Sequence, residues 1–363
     1  MNFSNSKVKV GLIGFIIFYS CSSESPVPGG QSQTTNKNIW DVPKSEVFDG
    51  GPGKDGIPAL LDPEMIDAVD ASYLSDDDLI LGYKNGDDIR AYSHQILDWH
   101  EIINDKVNGF PVAITYCPLT GTGIGWDRRI KVGLTTFGVS GKLYNSNLIL
   151  YDRETDSNWS QMKLNCVNGE LRGEQIRTFP LIETTWKTWQ TMYPDTKVVS
   201  RNTGVSRSYG QYPYGNYKTN SGTIFPFSPQ DTRLHDKERV HGVIFGGKAK
   251  AYRLVTFEKP QLIEDTVQFT PIIVLGDMNS NIIVSFEREL EDGTSLTFEL
   301  TPEAKTALTT PTILIDTEGT TWDIFGEAVS GPRKGQHLIP TKSFMGYWFS
   351  WGAFYPGVDI YDL

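Results

Sequence analysis

A chain of 363 residues with 33 basic and 44 acidic side chains, net −11, is long enough to bury a substantial core. It shows no basic stripe, which argues against a nucleic-acid partner. Aromatics at 12%, with 35 Gly and 20 Pro, favour a turn-rich β protein over a helical bundle.

The first twenty residues are separate in character. Lys7 and Lys9 form a basic start, and Val10–Tyr19 is apolar but too short to span a bilayer as a helix. Ser20-Cys21 resembles the lipobox of bacterial lipoproteins, in which the cysteine is lipidated and becomes the mature N-terminus. Residues 1–20 therefore read as a lipoprotein signal peptide and Cys21 as the lipidation site. Residues 21–38, polar and Pro/Gly-rich, read as a flexible tether. Cleavage removes two lysines and no acid, moving the net charge from −11 to −13. The expected location is the cell envelope, on a membrane face outside the cytoplasm (outer membrane or periplasmic face), with the membrane as a partner through the lipid.

From residue 39 the chain is folded protein. Residues 39–78 are punctuated by Pro and Gly, which predicts an irregular wrapping segment with one short helix near Pro63–Val69. Ser75-Asp76-Asp77-Asp78 reads as a solvated turn. Leu79–Tyr83 and Ile89–Tyr92 read as strands around Asn85-Gly86. Ser93 can cap a short helix over Ser93–Ile103, with Ile96, Leu97 and Ile103 on its apolar stripe. Asp105–Val107 and Pro111–Cys117 make a hairpin over Asn108-Gly109, residues that tolerate the positive φ of a type I′ turn. Further strands are expected near Ile124–Asp127, Leu134–Val139 and Leu148–Asp152, and a helix over Thr184–Met192. Gly121-Thr122-Gly123 lacks the phosphate-loop pattern and reads as a tight turn exposing Cys117.

A shift of 160 residues sets Gly82 on Gly242, Tyr92 on Tyr252, Asp105 on Asp265, Pro111 on Pro271 and Arg128 on Arg288. With small adjustments Trp186 and Trp189 meet Trp348 and Trp351. The coincidences run in order and predict an internal duplication. The fold expected is mainly β (β-rich α+β): two tandem related lobes of antiparallel strands with short helices. The lobes are 39–200 and a degenerate 239–363, joined over 201–238 by an aromatic connector, YGQYPYGNYKTNSG, that reads as an ordered loop.

Features found in both lobes are best explained by the shared fold, and features found in one are candidates for function. His94, Asp98, His100, Glu101, Cys117 and Thr120 have the counterparts Leu254, Glu258, Pro260, Gln261, Asp277 and Ser280. The first lobe alone has imidazole and thiol at these positions. A thiol beside an imidazole can form a nucleophilic pair, and the same groups suit copper or zinc. A buried thiol and a helix-end imidazole satisfied by backbone is the structural alternative. Cys117 and Cys166 are both available for a disulfide, although spacing alone does not pair them. His235, His241 and His337, each taken alone, read as surface or satisfied histidines.

The segments AYSHQILDWHEIINDKVNGFPVAITYCPLTGTGIGWDR and FGVSGKLYNSNLILYDRETDSNWSQ resemble the DUF3179 family of bacterial domains of unknown function, over about residues 56–360. The family pattern commonly reads His-Glu-Ile-Val-Asn-Asp and then Thr-Tyr-Cys-Pro-Leu-Cys. His100–Asp105 and Thr115–Leu119 follow it, whereas Thr120 stands at the second cysteine. A dithiol or CxxC metal site is therefore ruled out at this place. Three expectations remain. The first is a copper- or zinc-binding lipoprotein with Cys117, His100, His94 and Glu101 or Asp98 as ligands. The second is a thiol-dependent enzyme with Cys117 as nucleophile and His100 as base. The third is a glycan-binding or structural module using the aromatics of Tyr209–Tyr217.

Overall fold

The computed structural model describes residues 39–362, so the signal segment, Cys21 and the tether lie outside the described residues. The described chain is mainly β, with antiparallel sheets and three seven-residue helices: α1 (His94–His100), α2 (Trp186–Met192) and α3 (Trp348–Phe354). No helix among the described residues is long and apolar enough to cross a membrane.

Three five-stranded sheets and a two-stranded ribbon, Arg129–Ile130 with Gly133–Leu134, make up the first half. One pairs Leu79–Asn85 with Asp88–Ser93 across Gly86, which takes φ +60°, and adds Ile182–Thr185, Lys197–Val199 and Met65–Asp67. A second is the meander Ile102–Val107, Phe110–Cys117 and Thr122–Asp127, with short edges at Leu60–Leu61 and Thr178–Phe179. Asn108 and Gly109 turn its first hairpin at φ +45° and +76°, as their residue types predict. The third is built on Phe137–Tyr144 and Asn147–Asp152. The second half shows the same succession. Arg239–Phe245 and Lys248–Arg253 pair with Lys342–Tyr347, the meander Gln261–Glu287 follows, and a four-stranded sheet runs from Phe298 to Ser330.

Recurring side-chain devices hold these sheets. Tyr92 donates to Asp105 at 2.7 Å and Tyr252 to Asp265 at 2.6 Å. The Trp159 indole donates to Asp152 and the Trp322 indole to Asp316. A Cβ on Gly82 would lie 2.2 Å from the Trp189 ring, and one on Gly242 2.3 Å from Trp351. Both glycines therefore let a helix indole sit directly on a strand.

The apolar cores form across the halves as well as within them. Trp126, Phe137 and Trp159 of the first half share one cluster with Phe344, Trp348 and Trp351 of the second. Trp186 and Trp189 share another with Phe286, Phe298 and Trp322. Each half thus lays its helix-bearing sheet on the other half's strands.

Two local expectations change. Over Pro63–Val69 there is a strand, Met65–Asp67, and then a 3-10 turn, Ala68–Asp70, in place of a helix. Pairing with Lys197–Val199 recruits this segment into a sheet. The helix expected to reach Ile103 stops at His100, because Glu101 adopts the left-handed conformation at φ +58° and Ile102 joins the meander.

Candidate functional site

The reversal at Glu101 decides where the chemistry goes. The Glu101 amide closes α1 on the Leu97 carbonyl, and its own carbonyl accepts from the Tyr116 amide at 2.7 Å, extending the hairpin register to this residue. Of the two adjacent residues, Glu101 and not His100 is the one that acts on the Cys117 thiol.

His100 is fully buried and both ring nitrogens are engaged. Nδ1 lies 2.7 Å from the Pro58 carbonyl and Nε2 2.6 Å from the Tyr209 hydroxyl. A carbonyl can only accept, so Nδ1 carries the proton and Nε2 accepts from Tyr209. Burial, with Arg207 nearby, lowers its pKa and keeps it neutral. It is a brace between the wrapping segment and the connector.

Cys117 is 1% exposed, and its Sγ faces the Ser146 carbonyl at 3.7 Å. Burial, and then the neighbouring Glu101, push the thiol up to about 11, the opposite of an activated nucleophile. Cys166 is buried too and both thiols are free, so the possible disulfide is not formed. The turn after Cys117 is tight, as expected, with Gly121 at φ +60°, but it does not expose the thiol. The carbonyls of Pro118, Leu119, Thr120 and Gly121 accept from Tyr212, Tyr217, the Tyr347 amide and Arg239, which cover the turn. Thr120 joins Thr122, Asn147 and Gln161 in a buried hydrogen-bond network.

His94 stacks against Tyr116 with ring centroids 4.3 Å apart. Its Nε2 has no hydrogen-bond partner and stands 3.9 Å from a Glu183 oxygen. Burial, with Lys218 and Arg239, holds this ring neutral. Glu183 is ion-paired to Arg239. His94 and His100 each have their own partners, and neither is among the groups that act on Cys117. Among the described residues no three His, Cys, Asp or Glu side chains gather closely enough to hold a metal ion. The expected copper or zinc ligand set does not converge among the described residues.

A cleft of about 500 Å³ does reach this region. Its walls come from the wrapping segment at Ile57, from α1 and the residue after it, from Val139 and Leu148, and from the connector at Pro213, Tyr214 and Phe225. Most of the lining is apolar, and Asp98 and Glu101 are its acids. Burial raises Asp98 to about 6 against the pull of Lys218, whose ammonium lies 3.3 Å from Oδ2. Burial raises Glu101 to about 8, opposed by a hydrogen bond from Tyr214 and reinforced by Asp98. Near neutral pH Glu101 is therefore a protonated acid in an apolar wall. Asp98 also borders a smaller recess of about 230 Å³ with His94, Gln95 and Lys218.

Residues that sequence reasoning did not single out complete the site. Lys218 sits on Asp98 and Glu183 beside His94, and the aromatic connector already singled out supplies Tyr214 on Glu101. Its rings do not form an open aromatic platform. Tyr209 and Tyr217 are buried, and Tyr212 and Tyr214 are half-buried.

The family model described as Protein of unknown function (DUF3179) matches residues 54–358, and the chain belongs to that family. No curated protein and no solved structure gives a significant match.

Proposed function

We propose that this is an exported lipoprotein, tethered to a membrane face outside the cytoplasm through Cys21, whose folded part binds a small molecule with an apolar body. One observation carries the reading: a cleft of about 500 Å³, otherwise mostly apolar, with two buried carboxyls of raised pKa in its wall. Pockets that hold small ligands typically measure ~300–1,000 Å³ and combine an apolar lining with a few placed polar groups. Raised carboxyl pKa values cluster at functional sites because burial there is tolerated for a purpose. The tether is supported by the sequence pattern at Lys7–Cys21.

The thiol-enzyme reading loses its basis in a thiol that is buried and held protonated, and the metal reading in ligands that do not meet. The protonated Glu101 gives the cleft a hydrogen-bond donor and a potential general acid.

The test is saturable binding of an apolar dye such as Nile red to the purified protein, followed by dye emission. Binding at one site per chain is expected. Ile57→Trp, at a half-buried position in the cleft wall, should abolish binding while leaving the melting temperature within a few degrees. Dye binding that survives this obstruction, or its absence from the wild-type protein, would overturn the reading.

A further inference from the structure

The cleft holds more buried acceptor capacity than its own donors satisfy. Asp98 is 7% exposed; Lys218 reaches only Oδ2, and Oδ1 has no hydrogen-bond partner. Glu101 is 5% exposed, and its carboxyl accepts a long hydrogen bond, 3.4 Å, from the Tyr214 hydroxyl. Both acids line the same cleft and are near enough for Asp98 to act on Glu101. A buried acceptor without a donor is costly, and folded proteins rarely leave one except where a ligand or water completes it.

We infer that the occupant of the cleft is an organic ammonium with an apolar body, its nitrogen seated between Asp98 and Glu101. The inference rests on the reading of the cleft as a ligand site and names the chemistry of what enters it. An ammonium brings a positive charge and three donors, one for the unpartnered Asp98 Oδ1 and one for Glu101, whose carboxyl has only the long Tyr214 hydrogen bond. Its hydrocarbon part lies on Leu119, Leu148 and Phe225, and the rings of Trp99 and Tyr214 in the same wall offer faces to the cation.

The charged and titratable groups around the seat are few. Lys142 and Arg207 line the cleft, half-buried, and bond neither acid; the Arg207 guanidinium donates to the Ser206 carbonyl. Lys218 holds Asp98 from the connector, Tyr214 donates to Glu101, and the Cys117 thiol stays protonated beside it. An incoming cation favours the ionised form of Glu101, so binding releases its proton. Affinity must then climb with pH until Glu101 is already ionised in the empty cleft, and level off above about 8.

The experiment compares hexylammonium, hexanol and hexanoate on the purified protein, read by quenching of Trp99 with Trp99→Phe as the blank. Alkylammonium stays charged to about pH 10. Hexylammonium should bind about tenfold tighter than hexanol at about pH 9, and about tenfold tighter there than at about pH 7. Hexanol should show no such slope. Glu101→Gln should remove the slope, and Asp98→Asn should weaken hexylammonium alone. Equal or tighter binding of hexanol or hexanoate overturns the ammonium assignment and leaves the ligand site standing. If none of the three binds and Nile red also fails, the site itself is overturned. If Glu101→Gln misfolds, the pH slope of the wild-type protein still decides.

Discussion

At the scale of single residues, Glu101 carries conformational, packing and electrostatic consequences together. Its left-handed backbone ends α1, its carbonyl starts the meander, and its carboxyl is buried in the cleft wall. Burial raises the carboxyl from 4.5 to about 8. The native state therefore keeps this proton over a range in which the unfolded chain has released it. Stability from this group is full below about pH 4.5 and is lost as pH rises toward about 8. The change amounts to a few kcal/mol, on the order of 5 for a shift of this size. Glu101→Gln has no such proton to lose. Its melting temperature should therefore gain on wild type between about pH 5 and about pH 8.5; a constant difference across that range would show that Glu101 is not held protonated. How much of this was legible in the sequence divides at the same residue. His100, Glu101 and Cys117 stood out because the second half lacks them, and of these Glu101 lies in the cleft wall. The pairing of His100 with Cys117 was not realised, because both His100 nitrogens are taken by Pro58 and Tyr209, partners far off in sequence that local spacing does not disclose.

At the scale of elements, the two meander hairpins carry different turn residues. Asn108-Gly109 suit positive φ, and the sequence disclosed that turn directly. The other hairpin turns on Gln268 at φ +48° and Phe269 at φ +72°, and the Phe269 ring is 96% exposed. A bulky residue in the left-handed region costs about 1–2 kcal/mol relative to glycine, and here no buried contact offsets it. Phe269→Gly should therefore raise stability by about 1 kcal/mol after allowing for the extra freedom glycine gives the unfolded chain. Urea unfolding with an unchanged m-value would measure it, and a loss of stability would mean that Phe269 packs against something. Turn chemistry signals a hairpin only where the residues fit the turn; here the pairing of Gln261–Val267 with Thr270–Asp277 defines it. The short strand Met65–Asp67 was missed for a related reason. Two or three residues hold no period, and only pairing with Lys197–Val199 defines them.

At the scale of the molecule, the order of sheets recurs in the two halves, yet the cores do not separate along the same line. The helix-bearing sheet of the second half, with Trp348 and Trp351, covers Trp126, Phe137 and Trp159 of the first. The corresponding sheet of the first half, with Trp186 and Trp189, covers Phe286, Phe298 and Trp322 of the second. Polar contacts cross the same boundary: Lys84 pairs with Asp323 at 2.8 Å and Glu327 at 2.7 Å, and Thr184 donates to the Ser280 carbonyl. Coincidences at a fixed shift predict that the halves resemble each other, but they cannot predict that each packs on the other, since such contacts lie far apart in sequence. A half taken alone would expose the apolar residues its partner covers, Trp126, Phe137 and Trp159 in the first half and Phe286, Phe298 and Trp322 in the second. Calorimetry on the folded chain should therefore give one transition with equal calorimetric and van't Hoff enthalpies. Residues 39–238 expressed alone should lack a cooperative transition and recover one when 239–363 is supplied in trans. Two resolved transitions in the intact chain, or a cooperatively folded first half, would show that the exchanged cores are not what holds the molecule together.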